Sequence, residues 1–303
     1  MAVNNENFRQ SIMSALDRVN AVSVIDPQYP ENIITNTVTP PNFATGAGLD
    51  YTQYDEIVHI TNEDSFDADA ALEYKDLAIS ELEDAGCSFP IIIYMRYNPD
   101  TSNWDKECQL VEQQLEALLG TDYIDVVVEA GPATGFLSAV RRAGDYALMK
   151  CNWGADYADP QTWTDPFTAT QTYNFMNQDE TRILMDEPCD SKTAETQALV
   201  SEYYSLVATA KASTTDTADR YSAFAEAEAY LIDHAFIIPI HISASDYVAT
   251  RLNAFEAQYA PYGVVRQRFK GMTIRETAIG IEEYTSLLAQ WESERESALS
   301  ATN

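Results

Sequence analysis

The sequence predicts an α/β fold, and three observations carry that expectation. Short apolar runs rich in β-branched and aromatic residues, Phe89–Tyr97, Tyr123–Val128 and Tyr146–Met149, alternate with stretches whose apolar residues recur every three or four positions. The connections between these runs are long enough to be helical crossovers, which parallel strands need and hairpins do not. Glycines stand where the helical stripes stop, at Gly86 and Gly120, as expected where a chain leaves a helix through a left-handed residue.

Taken in order, the chain opens with a helix over Asn5–Arg18 and continues through PPNFATGAGLDY, a loop rich in proline and glycine. Asp67–Ala85 carries Ala71, Tyr74, Leu77, Ala78, Leu82 and Ala85 on one face, the stripe of a helix that packs on a core. The run Phe89–Tyr97, the helix Asn103–Leu119 with Trp104, Cys108, Val111, Leu115 and Leu118 at helical spacing, and the run Tyr123–Val128 form a βαβ unit. GPATG at 131–135 then turns into a short helix over Phe136–Arg142, and Tyr146–Met149 is the next strand. After a turn-rich stretch, Asp156–Phe167, two long helices are expected at Thr193–Lys211 and Thr217–His234, followed by strands at Ile237–Ile242 and Tyr247–Arg251. An irregular stretch with Pro261, Gly263 and Gly271 leads to a terminal amphipathic helix bearing Ile281, Tyr284, Leu288, Trp291, Arg295 and Ala298.

Composition narrows the function. The chain has 303 residues, 46% of them hydrophobic, enough to bury a large core. Its 48 acidic and 18 basic residues leave a formal charge of −30, which opposes contact with nucleic acid and with anionic lipid surfaces. The acid is spread along helical segments, where its ordinary role is to keep outward faces hydrated. No apolar run approaches the ~18 residues that span a bilayer, and MAVNNENFRQS has no basic and apolar leader. Cys87, Cys108, Cys151 and Cys189 form no CxxC pair, so neither metal nor cofactor is expected, and they read as small buried hydrophobes or as disulfide partners in an oxidising compartment. The three histidines, His59, His234 and His241, share no motif, and the chain has no G-x-S-x-G elbow, HExxH or Walker A sequence. No enzymatic activity is expected.

The segment CNWGADYADP, Cys151–Pro160, concentrates the chemistry. It follows an apolar run and sets the aromatic rings of Trp153 and Tyr157 beside Asn152 and the carboxylate of Asp156, a combination that suits a cationic, partly apolar ligand. A plainer role for Asp156 is an Asx-turn that bonds its own backbone, and Trp153 and Trp163 can equally be core. Arg141 and Arg142 stand out where basic residues are few; they can neutralise local acid or grip a carboxylate with the guanidinium fork. GPATG lacks GK[ST] and a third glycine, so it reads as a βα turn rather than a phosphate cradle.

The order Arg141, Gly144, apolar strand, Trp153, Asp156 resembles family 5 of the extracellular solute-binding proteins, the oligopeptide and dipeptide receptors of bacterial ABC importers. WGADYADP is the most specific match. FRQSIMSALDR at Phe8–Arg18 resembles the family's first helix after its crossover into the C-terminal lobe, TPPNF at Thr39–Phe43 the proline turn that follows, and AFIIPIHIS at Ala235–Ser243 the strand that returns to the other lobe. The resemblance implies a periplasmic-binding-protein-like (type II) C-terminal lobe over 1–241, with a mixed β-sheet flanked by helices. It also implies a returning tail over 242–303 that belongs to an absent N-terminal lobe.

Carried over by position, Asp156 corresponds to the carboxylate that pairs with a peptide's α-ammonium, and Trp153 walls the site. Arg141 and Lys150 match basic positions that meet a ligand carboxylate or line pockets, and Asn152 and Tyr157 complete the expected set. The implied partners are a peptide ligand, a membrane permease and the missing lobe, with a monomeric chain outside the cytoplasm, anchored in its parent through the absent N-terminus. A different cargo (a nickel complex, an opine or an oligosaccharide), a peptide sensor without transport, and an α/β enzyme stand as alternatives.

Overall fold

The computed structural model of the chain describes residues 2–169, 171, 193–243, 249–256 and 271–301. The chain divides into two compact units, one formed by 1–154 with 158–243 and the other by 155–157 with 244–303.

The first unit opens with helix α1, Glu6–Ala15, whose N-terminus is capped by the side chain of Asn5 accepting from the Phe8 amide at 2.8 Å. The expected helix over Asn5–Arg18 is two helices, because Asp17 caps a new one, α2 (Arg18–Val22), by accepting from the Asn20 amide at 3.0 Å. A tight hairpin of β1 (Thr45–Gly46) and β2 (Leu49–Asp50) turns through Ala47 and Gly48, both at positive φ, as a two-residue hairpin loop requires. After the short α3 (Val58–Asn62), Asp67 caps α4 (Ala68–Asp84) by accepting from the Asp69 and Ala70 amides.

The βαβ expectation holds. Strand β3 (Ile91–Tyr97) pairs in parallel with β4 (Ile124–Ala130), and α5 (Trp104–Leu119) is the crossover. Strand β5 (Leu148–Met149) pairs in parallel on the other edge of β3, giving the order β4-β3-β5. A mixed sheet was expected; among the described residues this three-stranded sheet is wholly parallel. Side chains alternate along β3. Ile93 and Met95 are buried, whereas Ile92 and Tyr94 face outward. The buried face packs on Phe8 and Ile12 of α1, Ala78 and Leu82 of α4, and Cys108, Val111 and Leu115 of α5, in a single core.

A second core joins α7 (Thr193–Ala212) and α8 (Thr217–Asp233), preceded by the short α6 (Gln161–Thr164), with Tyr51, Tyr54 and Ile57. Here the fully buried carboxylate of Glu228 accepts from the amides of Val38 (2.7 Å) and Thr39 (2.9 Å) and from the hydroxyls of Thr39 (2.5 Å) and Tyr51 (3.0 Å). Ile237–Ile242 was expected to be a strand and is not one. Pro239 has no N–H to offer, and the pairing with the chain around Ile34 goes no further than an isolated bridge, Ile34 with His241, among the described residues. Of the expected strand Tyr247–Arg251, Tyr247 and Val248 lie outside the described residues.

The second unit is built on α9 (Ile281–Ala301). Phe255, in a short helical turn, packs on Tyr284 and Trp291 with ring centroids 5.5 and 6.0 Å apart, and Arg275 pairs with Glu283 and lies 3.9 Å from Glu256.

Candidate functional site

The three parallel strands deliver their carboxyl ends, Tyr97, Ala130 and Met149, to one edge of the sheet, the edge at which open parallel sheets hold ligands. Three segments leave from it: 98–103, the GPATG turn and the stretch that begins at Lys150. The GPATG turn is accounted for by packing. The Gly131 amide donates to the Tyr97 carbonyl at 3.0 Å, a Cβ on Gly131 would meet the Phe136 ring at 2.5 Å, and Gly135 has φ of 84°.

Arg141 ends a short π-helical turn, Leu137–Arg141, and is buried. Lys150 is also buried, and its backbone amide continues the sheet pattern by donating to the Arg96 carbonyl at 2.9 Å. Its ammonium does not point outward: it forms an ion pair with the fully buried carboxylate of Glu107 in α5 and lies over the Trp104 ring at 5.9 Å. Arg141 and Lys150 flank Cys151, where burial pushes the thiol up and the two cations oppose the shift. Cys87, Cys108 and Cys151 are free thiols, Cys108 buried and pushed up to about 12 mainly by desolvation; Cys189 lies outside the described residues.

Beyond Lys150 the chain rises to the surface. Asn152 is exposed, and Trp153 is half-buried with its indole Nε1 donating to the Thr162 carbonyl at 2.7 Å. Asp156 and Tyr157 are exposed and fall within the second unit. The segment then re-enters the first unit at Asp159, which takes a bidentate grip from Arg220 of α8, with Nε to Oδ2 and Nη2 to Oδ1 both at 3.0 Å. The same guanidinium donates to Gln161 Oε1 at 2.9 Å and to the carbonyls of Ala210 and Ser213 at the end of α7, both at 3.2 Å. Lys150 and Asp159 thus pin the two ends of the candidate segment to the first unit.

Two of these partners were not singled out in the sequence. Glu107 lies on the apolar stripe of α5, three residues after Trp104 and four before Val111, so the spacing marks it as a buried acid. Arg220 carries no such signal, because its partner is 61 residues away. Among the described residues no cluster of three metal-binding side chains exists, and no helix is long and apolar enough to cross a membrane.

Comparison with known proteins matches residues 2–175 to the family described as bacterial extracellular solute-binding proteins, family 5 Middle. The oligopeptide-binding protein AliA of Streptococcus pneumoniae is 28% identical over 97% of this chain and 48% of its own length, and the oligopeptide-binding protein SarA of Streptococcus gordonii is 25% identical over 97% and 47%. The chain therefore spans about half the length of the curated relatives it matches. Among solved structures, the substrate-binding domain of an oligopeptide ABC transporter from Bacillus anthracis superposes with a TM-score of 0.60 at 22% identity, over 79% of this chain and 40% of that one. Listeria monocytogenes OppA bound to peptide superposes at 0.58 and 21%, over 91% and 46%. These superpositions establish a shared α/β fold.

Proposed function

The chain belongs to family 5 of the bacterial extracellular solute-binding proteins, and from that membership we propose that it is part of a receptor that captures oligopeptides outside the cytoplasm and delivers them to an ABC permease. The observation that carries this reading is that AliA, AliB, SarA and AmiA, the curated relatives matched over 97% of this chain, are all named oligopeptide-binding proteins. The geometry supports it. The exposed, aromatic-flanked carboxylate of Asp156 stands in a segment leaving the carboxyl edge of the parallel sheet, with a tether on either side.

In this reading Asp156 pairs with the peptide α-ammonium, and Trp153 and Tyr157 offer apolar surface to the ligand. Asn152 supplies an adaptable polar contact. Lys150 acts through position rather than contact, because its ammonium is already held by Glu107. Arg141, buried beside Cys151, shapes the base of the segment. The remainder of the receptor, matching the half of the relatives that this chain does not cover, supplies the opposing wall. Enclosure from both sides is what gives a small ligand affinity.

The test is calorimetric titration of a receptor of full family length that includes this sequence, with a mixed-sequence peptide and with its N-acetylated form. A charge-assisted bond to the ammonium is worth ~1.5 to 3 kcal/mol, so acetylation and Asp156→Asn should each weaken binding by roughly 10- to 150-fold. Binding that ignores both changes overturns the role of Asp156, and the absence of binding to any peptide overturns the peptide reading.

A further inference from the structure

Three ionisable side chains, none of which contacts the ligand in the proposed function, meet inside the first unit. Glu107 comes from the first turns of α5, Lys150 from the residue after β5, and His241 from the segment by which the chain leaves this unit after Ser243. Glu107 and Lys150 are buried, and the His241 side chain is 13% exposed. The Lys150 ammonium binds Glu107 Oε1 and lies 3.5 Å from His241 Nε2, while Glu107 Oε2, which accepts no hydrogen bond among the described residues, is 3.9 Å from the same nitrogen. One imidazole nitrogen thus faces a donor on one side and an unused acceptor on the other.

That arrangement has two states. A neutral imidazole protonated on Nδ1 accepts at Nε2 from Lys150, and the buried group carries no net charge. Once Nε2 is protonated it becomes a donor, loses Lys150, and has only Glu107 Oε2 to turn to. One carboxylate then serves two cations in a site shielded from water. The charged groups that act on the ring are Lys150 from beyond β5 and Glu107 from α5. Burial and the Lys150 charge together disfavour the imidazolium and prevail over Glu107 and a backbone hydrogen bond with Ile242, which favour it.

His241 is also where the exit segment is fastened. Its neighbours make the two backbone bonds that hold this segment to the first unit, Ile242 N–H to the Ile33 carbonyl at 2.8 Å and Thr35 N–H to the Ile240 carbonyl at 3.2 Å. We propose that Glu107, Lys150 and His241 form a proton-sensitive latch. It is closed when His241 is neutral and ties the exit segment Ile240–Ser243 to the root of the candidate ligand segment at Lys150. Acidification opens it, releasing the Ile242 and Thr35 amides while the sheet stays intact.

The measurement is amide hydrogen exchange in the whole chain between about pH 7.5 and about pH 5.5, the range in which histidine changes charge, after correction for the intrinsic exchange rate. The expected result is exchange at Ile242 and Thr35 that accelerates at least about threefold on acidification in the wild type and is flat in His241→Gln, which keeps an acceptor for Lys150 but cannot titrate. The Ile91 amide, bonded to the Tyr123 carbonyl at 2.8 Å, should hold steady in both. Equal acceleration at Ile91, an unchanged response in His241→Gln, or no acceleration in the wild type overturns the latch. Should the variant not fold, NMR titration of His241 in the wild type decides, since a midpoint that differs from the exchange midpoint by more than about one pH unit overturns it. No peptide enters these readouts, so they stand or fall apart from the peptide-binding reading.

Discussion

Removing the carboxylate of Glu228 is the most quantitative test of how the second core is held. The side chain is fully enclosed and receives four donors, two from backbone amides and two from hydroxyls. In Glu228→Ala the fully buried Thr39 amide loses its acceptor, at a cost of ~1 to 3 kcal/mol; the Val38 amide is half-buried and recovers part of its loss through solvent. The Thr39 and Tyr51 hydroxyls can rotate but still lose an ionic acceptor, so the sum is about 3 to 5 kcal/mol. Set against a domain stability of ~5 to 15 kcal/mol, that is a large fraction. Glu228→Gln is nearly isosteric. Its carbonyl oxygen can serve the two amides and its NH₂ can donate to a rotated hydroxyl, so the loss should be about 1 kcal/mol. Urea unfolding near neutral pH, with the slope unchanged between variants, reads both numbers. Alanine within about 1 kcal/mol of the wild type would refute the assignment of the four bonds, and glutamine as costly as alanine would show that charge, not satisfaction of the donors, is what the site requires.

The same residue sets a pH dependence. Burial raises the Glu228 carboxyl above its ordinary range, partly offset by the hydrogen bonds from Thr39, Tyr51 and Val38, so the folded state binds this proton more tightly than the unfolded state does. Its contribution to stability is fully present below the unfolded carboxyl's titration and is lost as pH rises through the folded one; comparison of pH–stability curves should show this fall in the wild type and not in Glu228→Gln. At the exit of the candidate segment, Asp159→Asn should cost about 1 kcal/mol and Arg220→Ala about 3, because arginine also caps the end of α7 and lies 4.7 Å from the centre of the Phe224 ring; equal costs in thermal or urea melts would mean that the helix-end contacts contribute nothing. With 48 acidic residues against 18 basic, self-repulsion should be relieved by salt, and the urea midpoint should rise between low ionic strength and about 1 M NaCl, where the Debye length falls to ~3 Å. A midpoint that does not move would mean that the acid is already locally compensated.

Local signals made the βαβ unit readable. The glycine exits at Gly86 and Gly120 act within a turn of their helices, and the stripes of α4 and α5 report which face is buried. The Asp17 cap was equally local and was passed over because apolar spacing continues across it; a polar residue that can accept from an amide three positions on outweighs that continuity. Ile237–Ile242 looked like a strand because it is apolar, but a strand also needs a neighbour with a free edge, and sequence does not report neighbours. For Lys150 the sequence shows a charge that suits a ligand, but not the acid that its ammonium meets, Glu107, which stands 43 residues earlier.

The two tethers fix both ends of the segment that carries Asp156 to the first unit. A free loop around Asp156 would lose conformational entropy on binding a ligand, at about 1 to 2 kcal/mol per ordered residue. Here the chain is fixed at Lys150 by a buried ion pair and a continued sheet hydrogen bond, and at Asp159 by a bidentate pair, so only eight residues lie between fixed points. Within them the Trp153 indole is further held by the Thr162 carbonyl. In the proposed function, the ordering of these two ends is then complete before a ligand arrives, which lowers the cost of binding. The charges that do this, Lys150 with Glu107 and Asp159 with Arg220, are paired with one another and work by holding the ends of the segment.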